Sequence, residues 1–197
     1  MKVLVACEFS QVVTKAFRDR GHEAYSCDLL PTEGNPDWHF QGDVRNYLYD
    51  WFDLLIAHPP CTRLANSGVC WLEKRNLWKE MAEGAEFLRM FLIAPIKKIC
   101  VENPIPHHYA TDYIGRSYDQ IIQPWQFGHP ESKATCLWLN NLPKLIPTDN
   151  VKDEMMKLPM KERQRNHWVS PGKNRGHERS RFYTGFAEAM ADQWGSL

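Results

Sequence analysis

The chain has 197 residues, of which 43% are hydrophobic, 24% charged and 12% aromatic, the size and make-up of one globular domain. Lys plus Arg and Asp plus Glu both number 24, so the formal net charge is +0. That balance excludes a protein held to nucleic acid or to an anionic membrane by bulk charge, although a local basic patch is still open to it.

The opening run MKVLVACEFS is too short for a secretory signal, and no apolar stretch reaches the roughly 18 residues of a membrane span. A cytoplasmic protein is expected. Its six cysteines, Cys7, Cys27, Cys61, Cys70, Cys100 and Cys136, form no C-x-x-C pair and are expected to be reduced thiols, most of them core residues.

In chain order, residues 2–7 (KVLVAC) form a short β-branched apolar run that predicts a buried strand. Residues 11–20 predict a helix, with Val12, Val13, Ala16 and Phe17 on one face, Ser10 as N-cap and Gly21 as the stop. A second strand, 23–28, ends in Asp28. Residues 31–41 are rich in Pro, Gly and Asn and predict a loop. A third strand, 53–57, is cut off by His58-Pro59-Pro60. A helical stretch covers 73–92. Another strand, 97–102, stops at Asn103-Pro104. Residues 119–123 and 134–139 are the last strand candidates, and 184–194 predict a closing helix.

Strands alternating with helices at this spacing predict a mostly parallel α/β sheet with helices on both faces. In such sheets ligands bind outside the carboxyl ends of the strands. Those ends carry Cys7-Glu8-Phe9-Ser10, Asp28, His58-Pro59-Pro60-Cys61 and Glu102-Asn103-Pro104. A thiol and a carboxylate at neighbouring strand ends share one cleft. The histidines lack metal-ligand spacing, and no metal is expected.

The order of these motifs resembles the cytosine-C5 DNA methyltransferases. Pro60-Cys61, Leu64, Ala65 and Gly68 match that family's Pro-Cys signature. Glu102-Asn103-Pro104 resembles its Glu-Asn-Val motif, and Gly42-Asp43 its Gly-Asp dipeptide. Gly128-His129-Pro130-Glu131-Ser132-Lys133-Ala134-Thr135 resembles Gly-x-Pro-Gln-x-Arg-x-Arg. The resemblance implies a Rossmann-like, class I methyltransferase-like fold over 1–197, with no separate target-recognition domain between Lys133 and the closing helix.

It also implies S-adenosylmethionine as cofactor and a pyrimidine in DNA, or a free pyrimidine nucleotide, as substrate. Cys61 would be the nucleophile, adding to C6 so that C5 can attack a methyl group. Glu102 would hydrogen-bond the ring N3, and Lys133 would stand where the family holds the pyrimidine with Arg. His58 and a helix N-terminus are candidates for activating the thiol. Phe9, Ser10, Asp28, Asp43 and Pro59 would hold the cofactor, with Asp28 on the ribose hydroxyls and Asp43 on the adenine amine. Asn103 and Ser67, within the two motifs, join His58 on the substrate side.

Trp125 is a candidate for stacking on a base. Residues 161–181 hold seven Lys/Arg against two Glu and predict a basic loop, whose Arg175, Arg179 and Arg181 suit phosphate contacts. The short architecture resembles methyltransferase-like proteins of phage genomes, which implies a bacterial or phage-infected cell. A homodimer or a recognition partner is compatible with the missing recognition domain.

One departure sets a competing expectation. Phe9-Ser10-Gln11-Val12-Val13 stands where the family has Phe-x-Gly-x-Gly. Glycine permits positive φ and close backbone approach to a ligand. Its loss implies the alternative of an inactive, methyltransferase-like protein that binds a nucleotide, a nucleic acid or a protein.

Overall fold

The computed structural model describes residues 1–48, 51–170, 172 and 181–197. Seven strands form one sheet among them: β1 (Lys2–Ala6), β2 (Glu23–Asp28), β3 (His39–Gln41), β4 (Leu54–Ala57), β5 (Lys98–Pro104), β6 (Gln120–Ile122) and β7 (Thr135–Asn140). Their order is β3-β2-β1-β4-β5-β7-β6. The first five run parallel, and β7 is antiparallel to both β5 and β6. The chain winds outward from β1 in both directions, so the crevice at the carboxyl ends of β1 and β4 is the topological switch point.

Alternation along the strands sorts the core into two layers. Val3, Val5, Leu54, Ile56 and Cys100 face α1 (Val12–Arg18) and the closing helix, Thr184–Trp194, which is α8 in the numbering below. Leu4, Ala6, Leu55, Ala57, Ile99 and Val101 face the opposite layer, where α3 (Trp78–Leu92) and α4 (His108–Ile114) supply Met81, Ala85, Leu88, Phe91 and Ile114. Both faces of the parallel strands are therefore covered. This is the expected α/β Rossmann-like, class I methyltransferase-like fold.

Several boundaries differ from the sequence-based expectation. The stretch read as loop contains β3, held to β2 by Ser26 Oγ and His39 Nδ1 at 2.8 Å. The helical stretch over 73–92 is two helices, α2 (Cys70–Lys74) and α3, broken at Asn76, whose φ is 50°. Strand β5 runs on to Pro104 because β7 pairs with it that far. Strand β4 stops opposite Val101, so β5 is flanked on one side only there, and a proline is tolerated. The basic stretch begins as helical turns rather than loop: α6 (Met160–Arg163) and α7 (Arg165–Trp168) follow α5 (Lys152–Lys157).

Helix α1 begins at Val12, and Ser10 does not cap it. The Glu8 carboxylate does: Oε1 accepts from Val13 N at 2.7 Å, and Oε2 from Thr14 N at 3.2 Å and Thr14 Oγ1 at 2.7 Å. A carboxylate suits the positive end of the helix dipole better than a hydroxyl. Among the described residues no helix is long and apolar enough to cross a membrane.

Candidate active site at the strand ends

Strand register explains which side chains meet. Ala6 pairs with Ala57, and Ala57 with Val101. One residue further on, the same register sets Cys7 beside His58 and His58 beside Glu102. The bond from His58 N to Ala6 O, 3.0 Å, continues the ladder past the strand. Asp28 closes the row on the far side, opposite Gln41. The parallel strands thus align Asp28, Cys7, His58 and Glu102 along the mouth of the crevice.

Within that row His58 Nδ1 lies 3.2 Å from Glu102 Oε2. The two side chains are only 13% and 12% exposed. The Phe182 ring packs on the imidazole with centroids 4.7 Å apart. His58 Nε2 is buried without a hydrogen-bond partner. The side chain expected to activate Cys61 is hydrogen-bonded through Nδ1 to the Glu102 carboxyl group.

The loop after β4 is laced to the end of β5. Asn103 Nδ2 donates to Pro59 O at 2.8 Å. Asn66 N donates to Ile105 O at 2.9 Å, and His107 N to Leu64 O at 3.0 Å. The His107 ring reaches Arg63 O at 2.9 Å, and Ala65 bridges Pro106. Leu64 is fully buried and anchors the loop. Cys61 is half-buried, and its carbonyl accepts from Leu64 N and Ala65 N, both at 3.0 Å, in a tight turn. That turn and the 3₁₀ turn Asn66–Gly68, which carries exposed Ser67, separate Cys61 from the first helix that follows, α2. Cys61 and Glu102 therefore belong to one braced unit. Pro59 is buried beneath it, and Asn103 Oδ1 is buried without a partner.

On the expected cofactor side, Gln11 takes the place of the first family glycine. Its φ of 58° and ψ of 23° are left-handed, a conformation that glycine adopts without steric cost. For Gln11 the side chain offsets that cost. Its amide donates to Ser26 Oγ and Asn35 O at 3.1 and 2.9 Å, and accepts from Asn35 N at 2.7 Å. Gly34 leaves room for this side chain, since a Cβ there would meet Gln11 Oε1 at 2.2 Å. Phe9 O accepts from Glu33 N and Thr32 Oγ1, both at 2.9 Å, fixing the loop that carries Ser10. Asp28 is half-buried and accepts from Leu30 N at 2.9 Å. Asp43 accepts from Arg45 N and from its guanidinium, both at 3.0 Å.

The phosphates of a nucleotide often sit at a helix N-terminus. Here Glu8 already occupies that terminus. Asp28 and Asp43 both act electrostatically on Cys7, raising its thiol pKa together with burial as the main cause. Among the described residues, Asp28, Asp43 and the capped start of α1 make this end of the crevice a poor place for a phosphate group.

The opposite rim comes from the β6–β7 connection and the approach to α8. Tyr183 donates to Glu131 Oε2 and accepts from Asn166 Nδ2, both at 2.9 Å. Arg165 pairs with Glu131 Oε1 at 2.9 Å. Burial and the Glu131 charge push the Tyr183 hydroxyl pKa up, and burial pushes His129 down. Lys133 Nζ lies 5.7 Å from the Tyr183 ring centroid. Arg181 lines a cavity of about 200 Å³ with Arg165, Asn166 and Phe182. Phe182 joins this cavity to His58. Trp125 sits on the 3₁₀ turn Pro124–Gln126, with Lys152 Nζ 5.3 Å from its ring centroid. Arg175 and Arg179 lie outside the described residues.

No protein-family model and no curated protein matches this chain. Among solved structures it is similar to a protein described as a DNA modification methyltransferase encoded within a prophage (E. coli). They share 13% identity with a TM-score of 0.43, over 81% of this chain and 56% of that one. It is also similar to a methyltransferase of Entamoeba histolytica, at 15% identity and a TM-score of 0.45, over 76% of this chain and 57% of that one. The chain thus spans a little over half the length of each.

Proposed function

We propose that this chain is an S-adenosylmethionine-dependent methyltransferase that methylates C5 of a pyrimidine, with Cys61 as nucleophile and Glu102 as acid. The bracing of the Cys61 loop against the Glu102 strand end carries this reading. A thiol and a carboxyl that act on C6 and N3 of one ring must keep a fixed separation.

In this reading the Cys61 thiolate forms a bond to C6. The C5=C6 electron pair becomes a C4=C5 pair, and the C4=N3 pair moves onto N3, which takes the proton of Glu102. Bound S-adenosylmethionine would supply the electrophilic methyl group for C5. Loss of the C5 proton to water and expulsion of the Cys61 thiolate then restore the ring, and N3 returns its proton to Glu102. Phe9, Ser10, Asp28, Asp43 and Pro59 would line the cofactor side. Lys133 would contact the pyrimidine, Ser67, Asn103 and Trp125 would border it, and Arg181, with Arg175 and Arg179, would meet phosphate.

A base within a duplex must be flipped out of its stack before a side chain can reach C6. Cytosine in single-stranded DNA, or a free nucleotide, needs no such step, and those are the substrates proposed. Methyl transfer from labelled cofactor to single-stranded DNA or to dCMP tests the reading. Transfer lost in Cys61→Ala and Glu102→Gln is expected. Transfer that survives Cys61→Ala would overturn the covalent route.

A further inference from the structure

His58 takes no part in the reaction proposed above. It stands two positions beyond Ile56, and Glu102 two beyond Cys100. Both Ile56 and Cys100 face the α1/α8 layer, so the two side chains emerge on the same side of the sheet. Phe182 covers the imidazole, and Phe186 of α8 backs Phe182 at 5.7 Å. The ring is pinned with Nδ1 on Glu102 Oε2 and Nε2 buried and unpartnered.

A neutral imidazole has one donor and one acceptor nitrogen. A buried N–H left unpaired costs its full desolvation. The proton therefore belongs on Nδ1, where Oε2 accepts it, and Nε2 is bare. With Oε2 engaged as an acceptor, Oε1 is the oxygen that would carry the acid proton in the proposed reaction. Other titratable groups near the pair include Glu8, just beyond β1, and the Cys100 and Cys136 thiols of β5 and β7, which feel Glu102.

The two oxygens of Glu102 are thus not equivalent. Cytosine N3 is an acceptor and matches a protonated Oε1. Uracil and thymine carry N3–H, a donor, and meet it head-on. We propose that His58 is a positioning residue that holds Glu102 by Nδ1–H, so that Oε1 presents the acid proton and the site takes cytosine in preference to uracil or thymine. The preference rests on the reading of Glu102 as the N3 partner. The hydrogen bond does not.

Two measurements separate these. Nitrogen-15 NMR of the full chain without substrate, at pH 7.5, is expected to show His58 protonated on Nδ1 and bare on Nε2. An Nε2–H tautomer, or an imidazolium, would overturn the assignment. The ratio of kcat/KM for unstacked cytosine over uracil substrates is then compared in two variants. Asn keeps a donor close to the Nδ1 position, and Leu does not. His58→Leu is expected to lose at least about ten-fold of the preference, and His58→Asn to keep most of it. A preference unchanged in His58→Leu would overturn the role. Methyl transfer by no form of the protein would overturn the reading beneath the preference, and the NMR tautomer would still decide the hydrogen bond.

Discussion

Asn103 Nδ2 donates to the carbonyl of Pro59 at 2.8 Å, tying the strand that carries Glu102 to the loop that carries Cys61. The bond is buried. Removing its donor leaves the Pro59 carbonyl unsatisfied, which costs about 1–3 kcal/mol. Asn103→Ala is therefore expected to lower stability in urea melts by that amount. It should also lower kcat more than it raises KM, because the loop loses its setting against β5. A variant as stable as the parent would remove this bond from the account.

Gln11 supports a second expectation. In Gln11→Gly the left-handed backbone is relaxed but three side-chain hydrogen bonds are lost. In Gln11→Ala the bonds are lost and the left-handed cost of about 1–2 kcal/mol remains. Stability should fall in the order Gln, Gly, Ala. Thermal melts that put Ala above Gly would contradict the backbone assignment.

Glu8 makes stability depend on pH. Burial raises its pKa above 4.5, and the hydrogen bonds from Thr14 and Val13 oppose the shift without cancelling it. A raised pKa means that the folded state holds the proton more tightly than the unfolded chain. The associated stability is complete below about 4.5 and is lost as pH climbs towards the folded value. The stability of the parent relative to Glu8→Gln should therefore decline as pH rises from 4.5. Urea melts at several pH values measure this, and a difference that grows with pH would refute it.

The thiols are expected to divide by environment. Burial pushes Cys27 and Cys136 up to about 12, and Cys7 and Cys100 are raised as well. Thiolate is the form that alkylates, so these four should resist iodoacetamide at pH 8. Exposed Cys70 and half-buried Cys61 should react. Intact mass should show two adducts, and one in Cys61→Ser. Rapid labelling of Cys100 would show that the core is not packed as described.

Much of the fold was legible because it is written in runs. Apolar alternation in β1 and β4, and polar residues at each strand end, pointed to the parallel sheet and its open edge. Proximity of His58, Pro59 and Asn103 followed from motifs placed at adjacent strands. Other features had no such signal. Nothing at Phe182 marks it as the cover of His58, since it arrives from a distant segment. The exchange of Ser10 for Glu8 as helix cap depends on Gln11 turning left-handed, which its residue type does not favour. The Tyr183–Glu131–Arg165 cluster joins three segments. Glu131, which stands where the family has Gln, is its hub. Strand β3 is three residues within a Pro-rich loop and gains its identity only by pairing with β2.

The central claim is that Cys61 attacks C6 of a pyrimidine. A 5-fluorocytosine in single-stranded DNA permits that attack and methyl transfer, but it has no C5 proton to lose, so the enzyme stays bound. Intact mass after incubation of the full chain with this oligonucleotide and S-adenosylmethionine tests the claim most directly. A one-to-one adduct that maps to Cys61 and is missing in Cys61→Ser is predicted. Methyl transfer to ordinary cytosine with no adduct on the fluorinated strand would contradict it.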